Sequence, residues 1–235
     1  KAAGKEETMK YTIREMMKEL TGLTDLQWGG YAFYHEPLER KFTPEQKENY
    51  TRLANKCGEE EAESLLSEYP EKSIGEIAGE LGFTVKTPDT PTGGGHVLFA
   101  QYVEPKEITV FMDCIEKAEK LINKEKLQSF FPAADLKDVL MAHELFHGIE
   151  YRKRKQIFTQ TEKIELWRRP FSNKSKILCL SEMAAMAFAK RMTGISCSPY
   201  VLDVLLMYCY NEEAAIALYE EILEAAGIRE REEEC

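Results

Sequence analysis

The sequence predicts an α+β fold that is mainly helical, with one small β-sheet just before the most informative helix. Three capping-box patterns, at residues 12–15, 43–46 and 73–76, predict helix starts in the first third of the chain. Between residues 83 and 112 the pattern changes to short β-branched and aromatic runs separated by turn residues. From Asp113 onward apolar residues return at helical spacing, so we expect helices to the end of the chain.

The N-terminal helices are delimited by capping residues and by glycine. Thr43 is followed by Pro44 at the first helical position, and we expect this helix to end at Gly58. A separate polar helix is predicted over residues 60–69. The third capped helix is expected to end at Gly82, which can adopt the left-handed conformation of a helix C-terminus.

The predicted sheet consists of three short segments. Residues 83–85 are typical of a short strand, and a loop rich in Pro, Gly and Thr follows over residues 87–95. Residues 96–102 and 107–112 are two apolar runs separated by four turn-forming residues, which predicts a β-hairpin.

Two regions are predicted along the chain. Residues 1–72 form an N-terminal helical region, and residues 73–235 contain the sheet, the central helices and a C-terminal helical pair over 198–210 and 211–226. We expect the two regions to pack as one compact unit, because no long polar linker separates them.

Composition excludes several classes of protein. Of the 235 residues, 43% are hydrophobic and 31% are charged, which is typical of a globular protein. The net charge of −10 disfavours nucleic-acid binding through bulk charge. No apolar run approaches the roughly 18 residues of a membrane span. The six scattered cysteines lack any C-x-x-C pair, so we expect reduced thiols in a cytoplasmic protein.

DNA binding is one competing function. Residues 73–85 resemble the first half of a helix-turn-helix motif. A segment rich in Pro and Thr follows where the recognition helix should begin, and the chain is acidic overall. We therefore expect no nucleic-acid partner.

The strongest chemical signal is an H-E-x-x-H motif at residues 143–147. Residues four apart lie on one face of a helix, about 6 Å from each other, so His143 and His147 can bind one cation. Glu144 lies about 100° further round the helix. It is therefore placed to act on a water molecule beside the cation as a general base.

The surroundings of this short motif favour metal binding over chance. Between residues 139 and 149 the residues outside the motif are uncharged, as expected for a helix buried behind an active site. Asp135 and Asp138 supply a cap and a favourable charge at the start of the helix. The alternative is two histidines placed by accident on a half-buried helix.

A catalytic zinc site needs a third protein ligand, and Glu182 is the best candidate. It is the only acid in an apolar helix of small residues, where a lone carboxylate is costly to bury without a cation. The alternative is a glutamate that is stabilised by the helix dipole after Ser181. The other candidates have weaker positions in the sequence: His35, His96, Glu150, Glu162 and Glu165.

These motifs resemble those of the gluzincin group of zinc metallopeptidases. The pattern Glu182-x-x-Ala185-x-x-Phe188-Ala189 is similar, in particular, to the second helix of the ImmA/IrrE-type family. The likeness covers residues 73–192. It implies a zincin-like domain, with His143, His147 and Glu182 as ligands of one Zn²⁺ and Glu144 as the catalytic carboxylate.

One position departs from the family pattern. The family has Asn or Asp four residues after the ligand glutamate, and this chain has Met186 there. If that polar residue orients a ligand histidine, either another group does so in this chain or the site is weaker than that of the family.

The expected function is therefore that of a zinc-dependent peptidase with Glu144 as general base. The resemblance implies regulatory cleavage of a protein partner, so the expected partner is a peptide or protein substrate. Candidate donors to the oxyanion are His96, Tyr151 and Tyr200. The alternative function is a catalytically inactive zincin-like module that binds metal or another protein. A set of two His and one carboxylate also suits Fe(II) and Mn(II).

Overall fold

The fold is α+β and mainly helical, as the sequence predicts. The computed structural model describes residues 11–89, 98–131, 135–167 and 173–229. Within these ranges the helices are α1 (Ile13–Leu20), α2 (Asp25–Tyr34), α3 (Pro44–Glu68), α4 (Ile74–Glu80), α5 (Met112–Lys124), α6 (Leu136–Arg152), α7 (Phe158–Thr161), α8 (Cys179–Thr193), α9 (Val201–Tyr208) and α10 (Glu212–Ala225). The strands are β1 (Thr84–Lys86), β2 (Ala100–Val103), β3 (Glu107–Val110), β4 (Lys163–Trp167) and β5 (Asn173–Lys176).

The predicted hairpin is confirmed as part of a three-stranded sheet in the order β1-β3-β2. Strands β2 and β3 pair antiparallel, with Ala100 opposite Val110. Strand β1 pairs parallel to β3, with Thr84 opposite Glu107. Residues 90–95 of the predicted loop and residues 96 and 97 of the predicted hairpin lie outside the described residues. Because β3 lies between the other two strands, β2 is an edge strand of the sheet that the described residues form.

A second sheet, formed by β4 and β5, corrects the expectation of helices throughout the last half of the chain. In β4, the exposed Lys163 and Glu165 alternate with the half-buried Ile164 and Leu166. That alternation has the two-residue period of a strand, but the segment is short and its charges give it the composition of a loop.

The predicted helix starts are confirmed. Thr12, Thr43 and Ser73 each accept a hydrogen bond from the backbone of the third helical residue, whose side chain bonds back to the cap. Thr24 forms a fourth capping box at the start of α2. Each box satisfies backbone N–H groups that the helix leaves without a partner.

The expected helix end at Gly58 is wrong, because α3 continues without a break to Glu68. Gly58 is buried within α3 and lies against α8. A Cβ atom added at Gly58 would lie 2.1 Å from the carbonyl oxygen of Ala184. The glycine therefore allows two helix backbones to approach closely. Helix propensity alone predicts only that a glycine weakens the helix, and it gives no information about this contact.

Replacing Gly58 with Ala is expected to lower the free energy of unfolding by about 1–3 kcal/mol, because backbone atoms block the new methyl group. Gly79 in α4 is the matched control, since nothing lies within 4 Å of a Cβ added there. Gly79→Ala should stabilise the protein by about 0.5–1 kcal/mol. Urea unfolding of both variants measures the difference, and equal stabilities would contradict the close approach of α3 and α8.

Helix α6 is the central element of the fold. It packs against β2 and β3 on one side and against α8 on the other. Asp135 caps its N-terminus by accepting bonds from the backbone of Lys137 and Asp138, as expected. Leu145 and Phe146 are fully buried in the core. The motif helix is thus held between the sheet and the helix that carries Glu182.

The cysteines are free thiols throughout the described part of the chain, as predicted. The C-terminal pair is also confirmed as α9 and α10, with Asn211 capping α10. Among the described residues, no helix combines the length and the apolar character that a membrane crossing requires.

Candidate metal centre

Helices α6 and α8 bring together the three predicted ligands. His143 and His147 are one turn apart on α6, and their Nε2 atoms are separated by 3.0 Å. Glu182, in the first turn of α8, places one carboxylate oxygen 3.3 Å from Nε2 of His143 and the other 3.5 Å from Nε2 of His147. One donor atom from each residue lies within 4.8 Å of the others.

These separations fit a tetrahedral zinc ion. With Zn–N and Zn–O distances of about 2.0–2.2 Å, two ligand atoms on one tetrahedron are about 3.4 Å apart. The Nε2–Nε2 distance of 3.0 Å and the 3.3 Å distance from one carboxylate oxygen to His143 lie near that value, while the 3.5 Å distance to His147 belongs to the other carboxylate oxygen. Both imidazoles are mostly buried, whereas 52% of the Glu182 side chain remains exposed. The donor set of two His and one carboxylate is also that of a catalytic zinc site with one position left for water.

Without an ion, the ligands form a charge-paired cluster. Burial lowers the pKa of His143, but the hydrogen bond to Glu182 and the nearby carboxylates raise it to about 9. Burial raises the pKa of Glu182, but His143 and His147 lower it to about 2. A divalent cation would therefore replace a proton that His143 otherwise holds.

His147 is held in place from its other ring nitrogen. Its Nδ1 atom lies 3.4 Å from Oγ of Ser181 and 3.9 Å from Oε2 of Glu150. Ser181 donates a 2.8 Å hydrogen bond to Glu150, and Thr159 donates to the other oxygen. Burial raises the pKa of Glu150, but bonds from His147, Thr159 and Ser181 lower it overall. Glu150, which the sequence offered only as a weaker ligand candidate, thus lies behind the candidate ligand His147 and is linked to it through Ser181.

Replacing Glu150 with Ala is expected to weaken zinc binding about 10–100-fold, because His147 loses the carboxylate behind it. The free energy of unfolding should also fall by about 1–3 kcal/mol, since Ser181 and Thr159 lose their acceptor. Zinc affinity can be measured by competition with a chromogenic chelator. Glu116→Gln, at an exposed pair with Lys120 on α5, is the control and should change neither quantity. A Glu150→Ala variant that binds zinc as tightly as the wild type would contradict this role.

His143 lacks the corresponding support. Its Nδ1 atom is buried and has no hydrogen-bond partner among the described residues. Met186 lines the same cleft as His143, but its thioether is only a weak acceptor. Met186 therefore lies in the cleft of a candidate ligand histidine whose second nitrogen is unpaired among the described residues.

Two clefts flank the three ligands. A cleft of about 200 Å³ contains His143 and Glu144, and its wall includes Leu98, Phe99 and Ala100 at the start of β2. A cleft of about 340 Å³ contains Glu182, with walls from α2 that include Tyr31 and His35. Glu144 thus shares a solvent-accessible space with His143, as expected of a general base.

The three candidate oxyanion donors have different positions. Tyr200 lines the larger cleft beside Glu182, with its hydroxyl group buried and unpaired among the described residues. Burial raises its pKa well above the usual range, and nearby Glu182 and Asp203 raise it further. The ring of Tyr151 instead lies near Tyr102 and beneath the guanidinium of Arg154. His96 lies outside the described residues.

Asp203 is a residue of the site that the sequence analysis did not single out. It lines both clefts, and burial raises its pKa to about 7, with His143 lowering it and Glu182 raising it. The sequence does carry a signal, because Asp203 is a lone acid in the apolar segment that forms α9. The same signal identifies Glu182 in α8.

Comparisons of the chain with protein-family models, with curated proteins and with solved structures found no match. The resemblance to zinc metallopeptidases therefore depends on the motifs at residues 143–147 and 182–189.

Proposed function

We propose that this protein is a zinc-dependent peptidase that hydrolyses a peptide bond between α6 and the edge of the sheet. The observation that carries the proposal is the convergence of His143, His147 and Glu182, with one donor atom from each within 4.8 Å of the others. Glu144 stands directly beside the first ligand, in a cleft that opens to solvent. The two residue types that metal-assisted hydrolysis requires, ligands and a base, are thus adjacent.

The three ligands would hold one Zn²⁺, which when bound polarises a scissile carbonyl and lowers the pKa of water toward ~7. Glu144 accepts the proton of the attacking water and then transfers it to the nitrogen of the departing amine. Glu150 and Ser181 keep His147 in a fixed orientation during this transfer. Among the residues that the structure describes, Tyr200, at the wall of the neighbouring cleft, is the best candidate for a hydrogen-bond donor to the developing oxyanion.

The substrate is proposed to be an extended peptide segment. Strand β2 is at the edge of its sheet, and the residues at its start line the cleft that contains Glu144. An edge strand offers unpaired backbone groups that an added peptide strand can bind. Apolar walls at Leu98 and Leu140 would accept apolar side chains of that peptide. The free thiols favour a reducing compartment, and we place the enzyme in the cytoplasm.

The proposal is tested by measuring the metal content and the activity of the same preparation. Elemental analysis of protein purified without added metal should find about one zinc ion per chain. A mixed peptide library, followed by mass spectrometry, should show cleavage that a chelator stops and added zinc restores. Stoichiometric metal without cleavage would instead indicate the alternative, a zincin-like module that binds metal but has no catalytic activity. Absence of metal binding would overturn the proposal.

A further inference from the structure

The first turn of α8 carries two groups of the candidate metal centre. Glu182, the fourth residue of this helix, faces the Nε2 atoms of both histidines. Ser181, the residue before it, lies behind His147 and donates a hydrogen bond to Glu150. The N–H groups of a first turn have no partner inside the helix, so the turn frays unless a cap holds it. The geometry of the site therefore depends on how the start of α8 is capped.

The cap of α8 comes from a distant part of the chain. Leu178 occupies the N-cap position, where it is largely exposed and its side chain forms no capping bond. The backbone N–H of Cys179, the first residue of α8, instead donates a 3.0 Å hydrogen bond to Oε2 of Glu36. Glu36 follows α2 and is 143 positions away in the sequence. The N-terminal helical region thus supplies the acceptor that the start of α8 needs.

Glu36 is held in place as an acceptor. Its side chain is buried, and its other oxygen, Oε1, accepts a 3.2 Å hydrogen bond from the backbone N–H of Leu38. Burial raises the pKa of the Cys179 thiol, and the charge of Glu36 raises it further, as expected for a carboxylate beside that residue. A buried carboxylate is costly unless donors surround it, and here two N–H groups do so. Its negative charge also interacts favourably with the N-terminus of α8.

We propose that Glu36 is a positioning residue of the metal centre, which holds the first turn of α8 and thereby keeps Glu182 and Ser181 in place beside the two histidines. The inference rests on the proposed function, because it concerns the position of a metal ligand. It gives a role to residues 1–72, which lie outside the part of the chain that resembles the peptidase family. Both regions of the chain then contribute to one metal centre.

Zinc affinity of the full-length protein, measured by chelator competition, tests this role without depending on catalysis. Glu36→Ala should weaken zinc binding about 3–30-fold, which is the effect that losing a helix cap has on the equilibrium that orders a first turn. Glu36→Gln should weaken it about 2–5-fold, because the amide oxygen can still accept the bond from Cys179 while the charge at the helix N-terminus is lost.

The matched control removes a cap from a helix that carries no candidate ligand. Asn211 caps α10 by accepting a 3.0 Å hydrogen bond from the backbone N–H of Ala214. Asn211→Ala should lower the melting temperature of the metal-free protein, as Glu36→Ala should, but it should leave zinc affinity unchanged. If Glu36 only stabilised the fold, both variants would melt at a lower temperature and neither would bind zinc more weakly.

Thermal unfolding of each metal-free variant identifies any that does not fold, and the near-isosteric Glu36→Gln then decides the question. Wild-type zinc affinity in the folded Glu36 variants would overturn the assignment, and so would an equal loss of affinity in Asn211→Ala. Failure of the wild-type protein itself to bind zinc would instead overturn the proposed function.

Discussion

Replacing Glu144 with Gln is expected to lower kcat/KM for peptide cleavage by about 10²–10⁴-fold while zinc stays bound at one ion per chain. The amide has the same shape as the carboxylate but cannot accept the proton of the attacking water. Glu144 is not one of the three residues whose donor atoms converge, so metal affinity should be unchanged. The two quantities are measured on one preparation, by peptide turnover and by elemental analysis.

Two controls make the Glu144 result specific. Glu116→Gln removes an exposed acid of α5 and should retain full activity and full zinc content. Circular dichroism of Glu144→Gln should match that of the wild type, because Glu144 lies at a cleft and not in the core. Cleavage within a few-fold of the wild-type rate would show that another group accepts the proton.

Replacing Glu182 with Ala is expected to remove zinc from the protein and to abolish chelator-sensitive cleavage. Loss of a direct ligand should weaken binding by more than the roughly 10–100-fold typical of an outer partner. The remaining pair, His143 and His147, would leave the site with two protein ligands, fewer than the three of a catalytic zinc centre. Chelator competition and metal analysis after dialysis measure the loss.

The control for Glu182 is an acid that does not face the histidines. Glu63→Gln removes an exposed carboxylate of α3 that pairs with Arg191 of α8. It should leave zinc content unchanged, since surface pairs of this kind contribute little. A Glu182→Ala variant that keeps stoichiometric zinc would show that a different side chain completes the metal centre.

Much of the metal centre could be predicted because its signals are local. The spacing of His143 and His147 places both on one face of any helix, and Asp135 identifies where that helix begins. Glu182 was predictable as a candidate ligand because a lone acid in an apolar segment needs a cation or hydrogen-bond donors. The structure brings one donor atom from each of the three residues to within 4.8 Å of the others.

The groups behind the ligands could not be predicted with the same precision. Glu150 and Ser181 belong to different helices, and their contact with His147 depends on how α6 and α8 pack. Asp203 reaches the clefts only because the fold brings the first turn of α9 to the walls that His143 and Glu182 also line. Ser181 and Glu150 are 31 positions apart in the sequence, so no local pattern predicts that they form a hydrogen bond.

The sequence by itself determined the helix starts, the hairpin and the three candidate ligands, because caps, side-chain periods and the i, i+4 spacing act within one or two turns of chain. Only the tertiary structure decided that Gly58 lies inside a helix, that residues 163–176 contain a second small sheet, and that Ser181 and Glu150 lie behind His147. In each of these cases the deciding contact comes from an element distant in sequence. Such a contact can override the helix or strand propensity of a segment, because burial and packing depend on the neighbouring elements and not on the local sequence alone.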